Sequence, residues 1–480
     1  MQYKWVALSN TTIGTLMSSL DTNIVLIALP TIGRELPNTT LLDLLWTLLG
    51  YQLITASVLV NFGRLSDMFG RVRLYNLGFA VFTIGSALCS LSQSGLELVS
   101  FRMVQALGSA FLFSNSAAIL TDAFPLNERG KALGINQTSI VAGSVVGLVL
   151  GGILTSTIGW RSIFWVNIPI GIFATAWSHY KLRELSRPPQ GQKIDLIGNL
   201  TFAGGLASIL AGTTLYIIAG LSLTAALLLI CAGGTLLIAF LFVETRVTMP
   251  MLALSLFRIR QFAAGNLAII LNSLARGAVT LVLVFYLQGP SMRLDAFTAG
   301  LYLIPTSVSL AVFGPVSGWL SDRYGARLLS TLGLLVSSVG FLMLTQLGST
   351  TTFPGLALPL VFVGSGMGLF ASPNRASIMN SVPAEERGIA SGISTTFVNV
   401  GSTLSLACAF LIMATVTPVK GLVAIFIGTG ATGSSSAAPG FISSIHLVFV
   451  VSTLFLLVAM VPSALRGRRP TVPPPKTEDP

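Results

Sequence analysis

The sequence predicts an all-α integral membrane protein: two parallel copies of a six-helix bundle, with two further helices inserted between them. Three observations carry this. Slightly more than half of the 480 residues are hydrophobic and only 9% are charged, more apolar surface than a soluble core of this size can hide. The apolar residues fall into fourteen runs of about twenty, the length that crosses a bilayer as a helix. Two loops repeat about 255 residues apart, Gly63-Arg64-Leu65-Ser66-Asp67-Met68-Phe69-Gly70-Arg71 and Gly318-Trp319-Leu320-Ser321-Asp322-Arg323-Tyr324-Gly325-Ala326-Arg327. A second pair follows at nearly the same offset: Pro125-Leu126-Asn127-Glu128-Arg129-Gly130 matches Pro383-Ala384-Glu385-Glu386-Arg387-Gly388.

The expected spans are 5–30, 43–63, 72–92, 95–122, 131–157, 161–183, 195–217, 220–243, 262–287, 296–320, 328–347, 355–380, 388–415 and 440–464. Spans 1–6 and 9–14 are the two copies. The chain therefore divides into an N-terminal bundle (1–190), linkers with inserted spans 7 and 8 (191–260), a C-terminal bundle (261–465) and a tail (466–480). A Pro/Gln/Gly/Lys-rich linker (Arg187 to Lys193) precedes the inserted pair, which is expected to pack outside the central cavity, and a basic linker (Thr245 to Arg260) follows it. Between spans 13 and 14, the apolar stretch Leu422–Ile427 is expected to dip into the bilayer interface. The basic, proline-rich tail is expected to be disordered.

A net charge of +11 would suit a polyanionic partner, but its distribution argues for no nucleic acid. Twenty of the 27 Lys and Arg lie at the N-terminus, in one alternate set of loops or in the tail; only Arg34, Arg161, Arg293 and Lys420 lie in the opposite set. This positive-inside pattern places both termini in the cytoplasm and the chain across the plasma (inner) membrane. The segment from Trp5 is too long for a signal-peptide core and reads as the first span. Cys89, Cys231 and Cys408 lie in apolar runs without metal-ligand spacing. The absence of a phosphate-binding loop, zinc spacing or nucleophile elbow argues against ATP hydrolysis and against an enzyme, and no metal or cofactor is expected.

Asp21 is the only carboxylate well inside an expected span. Helix rise puts it roughly 13 Å below the outer end of span 1, and puts Arg102 of span 4 roughly 10 Å below the same surface. Their similar depth predicts a switchable pair in which Asp21 takes a proton when the pair opens; the alternative is a permanent structural ion pair. The second half has no carboxylate in its spans but two arginines, Arg276 about 21 Å along span 9 and Arg375 roughly 12 Å from the inner end of span 12. One Asp against three Arg makes neutral or anionic substrates at least as expected as cations. Asn23, Gln52, Gln105, Asn115, Gln137, Asn272, Arg276 and Asn374 are candidate substrate contacts, although each amide can equally bridge helices.

These residues fall in motifs that resemble the major facilitator superfamily, and the fourteen spans resemble its drug:proton antiporter branch. Gly63–Arg71 is similar to the superfamily signature G-x-L-(S/A)-D-(R/x)-x-G-R. Leu20–Pro30 is similar to L-D-x-T-(I/V)-V-x-x-A-L-P, with Asn23 following the threonine. Arg102–Gly108 resembles R-x-x-Q-G-x-G with Ala106 in place of the first glycine. Gly143–Gly152 resembles the antiporter motif G-x-x-x-G-P-x-x-G-G, with Leu148 in place of the proline. Trp160-Arg161 and Phe164–Pro169 resemble the family's entry to its sixth helix and read as interfacial anchors.

The resemblance implies a cytoplasmic gate built from Gly63, Asp67, Gly70, Arg71, Asp122, Gly318, Asp322 and Gly325, and a helix-packing motif of Gly143, Gly147, Gly151 and Gly152. It implies proton coupling through Asp21 and Arg102, with the proton gradient as the energy source. The expected activity is export of small hydrophobic or amphipathic molecules by alternating access, as in multidrug efflux. The expected partners are the lipid bilayer, protons and a small-molecule substrate, with the chain acting as a monomer. A dedicated metabolite or organic-anion carrier and a lipid-handling transporter are the other readings.

Overall fold

Backbone polar groups cannot stay unpaired in hydrocarbon, so a chain of this composition closes its hydrogen bonds within helices. In a computed structural model, which describes residues 2–125, 128–185, 195–247, 250, 252–383, 386–427 and 437–467, every regular element is helical. The first half comprises α1 (Tyr3–Glu35), α2 (Leu41–Phe69), α3 (Arg71–Leu91), α4 (Gly95–Ala123), α5 (Arg129–Thr157), α6 (Ser162–Trp165) and α7 (Asn167–Lys181). A hairpin of α8 (Leu196–Ile218) and α9 (Leu223–Glu244) follows. The second half comprises α10 (Arg260–Arg276), α11 (Val279–Gln288), α12 (Ala296–Tyr324), α13 (Ala326–Leu344), α14 (Phe353–Asn380), α15 (Arg387–Val416), α16 (Val419–Ile427) and α17 (Ala437–Leu465). The linker 187–193 and the tail from 468 lie outside the described residues.

Among the described residues, thirteen helical stretches are long and apolar enough to cross a membrane. The sixth expected span is instead divided into α6 and the 15-residue α7. Pro169 has no N–H to offer the Trp165 carbonyl, and the break falls between that carbonyl and the proline. The ninth expected span is one crossing with an interruption at Gly277 and Ala278. Ser405 Oγ of α15 accepts the Ala278 N–H there at 3.0 Å, replacing part of the helical bonding.

The stretch Leu422–Ile427 lies in α16, with Leu422 and Phe426 fully buried. The Phe426 ring centroid lies 3.9 Å from Phe285 and 4.9 Å from Phe410, so the segment packs into protein.

Close backbone approach repeats in the two halves. A Cβ on Gly78 of α3 would meet the Gly108 carbonyl of α4 at 3.1 Å, and one on Gly333 of α13 would meet the Gly366 carbonyl of α14 at 2.7 Å. Likewise α5 lies on α1, where Cβ atoms on Gly143 and Gly147 would stand 2.7 Å from the carbonyls of Leu16 and Leu20. In the second half, Gly401 of α15 meets the Ile270 carbonyl of α10 at 2.8 Å in the same way. Only hydrogen in place of a methyl allows helices this near, and membrane helices gain dispersion energy from the contact.

Both described termini lie on one face: Lys4 is 2.6 Å from Glu128 at the start of α5, and Ser463 is 3.0 Å from Thr331 near the start of α13. The halves meet through α2 with α15 and α5 with α12. They are sealed at the opposite face. There Gly152 abuts the Ala296 carbonyl, Gly300 abuts the Leu148 carbonyl, and Gln288 Nε2 donates to the Ile27 carbonyl at 2.8 Å. Toward the terminal face, Gly63, Gly134, Gly314 and Gly325 have open space where a Cβ would stand.

The inserted hairpin lies along one seam, α8 packing on α2 and α15. Trp46 Nε1 donates to Thr214 Oγ1 at 3.2 Å, Asn199 donates to the Ser57 carbonyl, and Arg64 donates to the Pro250 carbonyl in the following linker.

Gly108→Ala would drive a Cβ into the Phe82 backbone nitrogen, whereas Gly134→Ala meets nothing within 4 Å. Thermal unfolding in detergent is expected to show a loss of about 1–3 kcal/mol for the first. The second should show no loss, with a helix-propensity gain of up to about 1 kcal/mol.

Candidate functional site

Asp21 lies a little past the middle of α1 with no solvent exposure, and Arg102 of α4 is equally buried. Arg102 Nη1 donates to Asp21 Oδ2 at 2.5 Å and to Gln105 Oε1 at 2.6 Å. Gln105 Nε2 returns to Asp21 Oδ1 at 2.9 Å and also reaches Ser86 Oγ of α3 at 2.6 Å. Asn167 Nδ2, from the first residue of α7, donates to the same Oδ1 at 2.9 Å. The α6–α7 break brings that amide to the carboxylate.

Arg102 is held on its other sides by α2. Its Nε faces the Thr47 carbonyl at 3.5 Å and its guanidinium carbon lies 4.2 Å from the Tyr51 ring centroid, a cation–π contact in a dry site. Its Nη2 is buried without a hydrogen-bond partner. Every group that touches the Asp21 oxygens is a donor. A carboxylate suits that shell; a protonated carboxyl does not, because its O–H would point at a guanidinium or an amide NH2.

The gate residues of the first half form a second cluster. Arg71 Nε donates to Asp67 at 2.7 Å and its Nη1 donates to both Asp122 oxygens at 2.8 Å. Glu184 accepts from the Arg71 and Val72 backbone N–H groups at 2.9 and 3.0 Å, capping the N-terminus of α3. Gly70 has φ 108°, the left-handed region open to glycine, and a Cβ there would lie 2.8 Å from Glu184. These bonds tie α2, α3, α4 and the segment after α7 to one another, all within the first half. In the second loop Gly325 has φ 82° and Gly318 faces Ser372 of α14. The Asp322 side chain lies outside the described residues.

Of the packing glycines, Gly143, Gly147 and Gly151 face α1, and Gly152 faces α12 of the other half. The candidate substrate contacts divide. Gln105 belongs to the Asp21 network. Asn115 is buried with its amide turned back to the Phe111 carbonyl of its own helix, and Asn374 donates to the Gly265 carbonyl at 3.2 Å. Asn272 is also buried. Asn23 bonds to the Ser19 carbonyl and Ser144, while Gln52 accepts from Thr403 of the other half at 3.2 Å. Gln137 is exposed and accepts from Arg375 at 3.3 Å, again across the halves. Arg276 is partly exposed, its Nε buried without a partner.

Sequence reasoning missed Asn167, Ser86 and Tyr51. Asn167 read as an interfacial anchor beside Trp160 and Trp165; of the three only Trp165 is exposed. Its place two residues before Pro169 marks a helix start, but nothing in the chain order says which side chain that start would face.

The profile of the Major Facilitator Superfamily matches residues 11–406, with a second match over 265–480. Riboflavin transporter RibZ of Clostridioides difficile (strain 630) is 34% identical over 416 residues, covering 85% of this chain and 88% of that protein. Multidrug resistance protein Stp of Mycobacterium tuberculosis (strain CDC 1551 / Oshkosh) is 32% identical over 401 residues, covering 83% and 73%. The crystal structure of a bacterial homolog of the human lysosomal transporter Spinster, inward-facing and unoccupied, aligns with a TM-score of 0.70 over 97% of each chain. Its sequence identity is 16%, so that likeness concerns the fold alone.

Removing one partner of the buried pair leaves the other charge without compensation. Arg102→Met is expected to lower stability by about 3–5 kcal/mol, and the double variant Asp21→Asn with Arg102→Met to recover most of that loss. Melting temperatures of the purified single and double variants check both outcomes.

Proposed function

Because the chain belongs to the Major Facilitator Superfamily, we propose that it exports small hydrophobic or amphipathic molecules by alternating access, each cycle coupled to inward movement of protons. It is a multi-pass membrane protein, and its relatives are transporters rather than enzymes. In this reading α7 counts as a fourteenth crossing, the face holding the termini is cytoplasmic, and the chain works as a monomer in the plasma membrane. The domains are the two halves, 1–190 and 261–465, which rock about a central cavity, with the hairpin riding on their seam.

The observation that carries the reading is the donor-only shell around Asp21. A proton arriving on Oδ2 neutralises the carboxylate and places a donor against Arg102 Nη1, so the contact separates. Arg102 keeps the Gln105 carbonyl, the Thr47 carbonyl and the Tyr51 ring, and α1 is the element released. On α1, about a turn and a half from Asp21, the Ile27 carbonyl accepts the Gln288 bond that helps seal the opposite face. Protonation at mid-depth thus bears on whether that seal holds. The Asp67–Arg71–Asp122 cluster keeps the cytoplasmic ends of α2, α3 and α4 rigid, so that the half moves as one body.

A second reading, a carrier dedicated to one metabolite, is favoured by the similarity to a riboflavin transporter over most of both chains. A panel of chemically unrelated dyes separates the two: broad efflux favours the first, and movement of one ligand class favours the second.

Asp21→Asn keeps the shape of the site and one acceptor oxygen but cannot take up the proton. It is expected to fold with a lowered melting temperature, because buried Arg102 loses its counter-charge, and to lose pH-gradient-driven uptake in inside-out vesicles. Uphill uptake equal to that of the parent would remove Asp21 from the coupling mechanism.

A further inference from the structure

Three arginines lie within the spans, and among the described residues only Arg102 has a carboxylate facing it. The other ion pairs described, Lys4–Glu128 and those of Arg71 with Asp67 and Asp122, all lie at the terminal face of the first half.

Arg276 is the last residue of α10, roughly 24 Å along the helix from Arg260 and so near mid-depth. It stands at the interruption before α11, where the freed Ala278 N–H is already taken by Ser405. Its Nε is sealed without a hydrogen-bond partner, while the residue as a whole keeps partial exposure. The unpaired carbonyls of the last turn of α10 supply a partial negative charge that helps hold the cation. They do not replace a counter-ion, and a desolvated guanidinium without one is costly.

Arg375 lies roughly 8 Å from the end of α14 at the terminal face. It is exposed and touches only neutral oxygens, Gln137 of α5 and Thr395 of α15, each at 3.3 Å. Since α14 and α15 both pack on α10, the two uncompensated cations lie in one half at two depths, shallow and deep. Such an arrangement attracts anions from the terminal face and offers a second forked donor deeper in the same half.

We propose that Arg276 docks the acidic group of the transported substrate, with Arg375 as the steering charge, so that this exporter selects organic anions: carboxylates, sulfonates or phosphate esters on an apolar body. The inference rests on the export reading and narrows it. The substrate supplies, during its passage, the negative charge that the expected spans of the second half lack.

Two xanthene dyes of opposite charge test this, carboxyfluorescein and rhodamine 6G. Equilibrium binding to the purified full chain is followed by fluorescence anisotropy, alongside uptake into inside-out vesicles with and without a pH gradient. Carboxyfluorescein should bind the parent chain, with its affinity relative to rhodamine 6G falling about tenfold or more in Arg276→Gln and partly restored in Arg276→Lys. Arg375→Gln should slow carboxyfluorescein uptake and flatten its dependence on ionic strength.

Equal relative affinity in the parent and Arg276→Gln, or no carboxyfluorescein binding to either, overturns the inference. Displacement of the dye by phosphatidylglycerol but not by benzoate assigns Arg276 to a lipid headgroup and overturns a soluble substrate. Melting temperatures establish that the variants are folded. Absence of gradient-driven uptake of either dye refutes proton-coupled export, while the binding measurement still decides the anion site.

Discussion

Taking a carboxylate out of water inside a helix bundle requires that every one of its contacts favour the charged form. Asp21 meets that requirement through a guanidinium and two amides contributed by α4 and α7, with the guanidinium itself braced by α2. Four helices and the α6–α7 break are therefore positioned by one desolvated charge. Buried ion pairs add little net stability, because desolvation offsets most of the Coulomb gain. What such a pair provides is specificity: it fixes how α1, α2, α4 and α7 sit against one another.

Around that pair the scaffold is duplicated. The Gly78–Gly108 approach between α3 and α4 recurs as Gly333–Gly366 between α13 and α14, and the α1–α5 contact recurs as α10–α15. Both loops that follow the second helix of a copy turn at a glycine with positive φ, Gly70 and Gly325. The charges are not duplicated. Where the first half buries an acid against a base, the second carries Arg276 and Arg375 facing no carboxylate among the described residues. The frame is symmetric and the charge is not: one half holds a closed acid–base pair, the other two cations hydrogen-bonded, where at all, to neutral groups.

The gate loop shows how local chemistry and assembly separate. Its Gly, Asp and Arg pattern is visible in the chain, and so is its second copy. That Arg71 chooses Asp122 as well as Asp67, and that Glu184 caps α3, depends on helices brought together from residues about 50 and 110 positions apart. The same is true of Gln105. Its depth in α4 made it a candidate for substrate, but its Nε2 donates to Asp21 and Ser86 while its oxygen accepts from Arg102. Asn115 and Asn374 likewise bond to backbone carbonyls, because an amide in an apolar interior takes the nearest acceptor.

The sequence alone determined the solvent, the helical class, the duplication and the depth of the critical charges. Apolar run length and the 1.5 Å rise are properties of any helix in a bilayer, so depth can be counted without knowing neighbours. Azimuth cannot. Which face of α7 turns Asn167 toward Asp21, how α16 buries Phe426 among Phe285 and Phe410, and where α10 is interrupted were decided by tertiary packing. Those choices depend on which backbones approach closely enough to satisfy each other's polar groups, and that is a property of the assembled bundle.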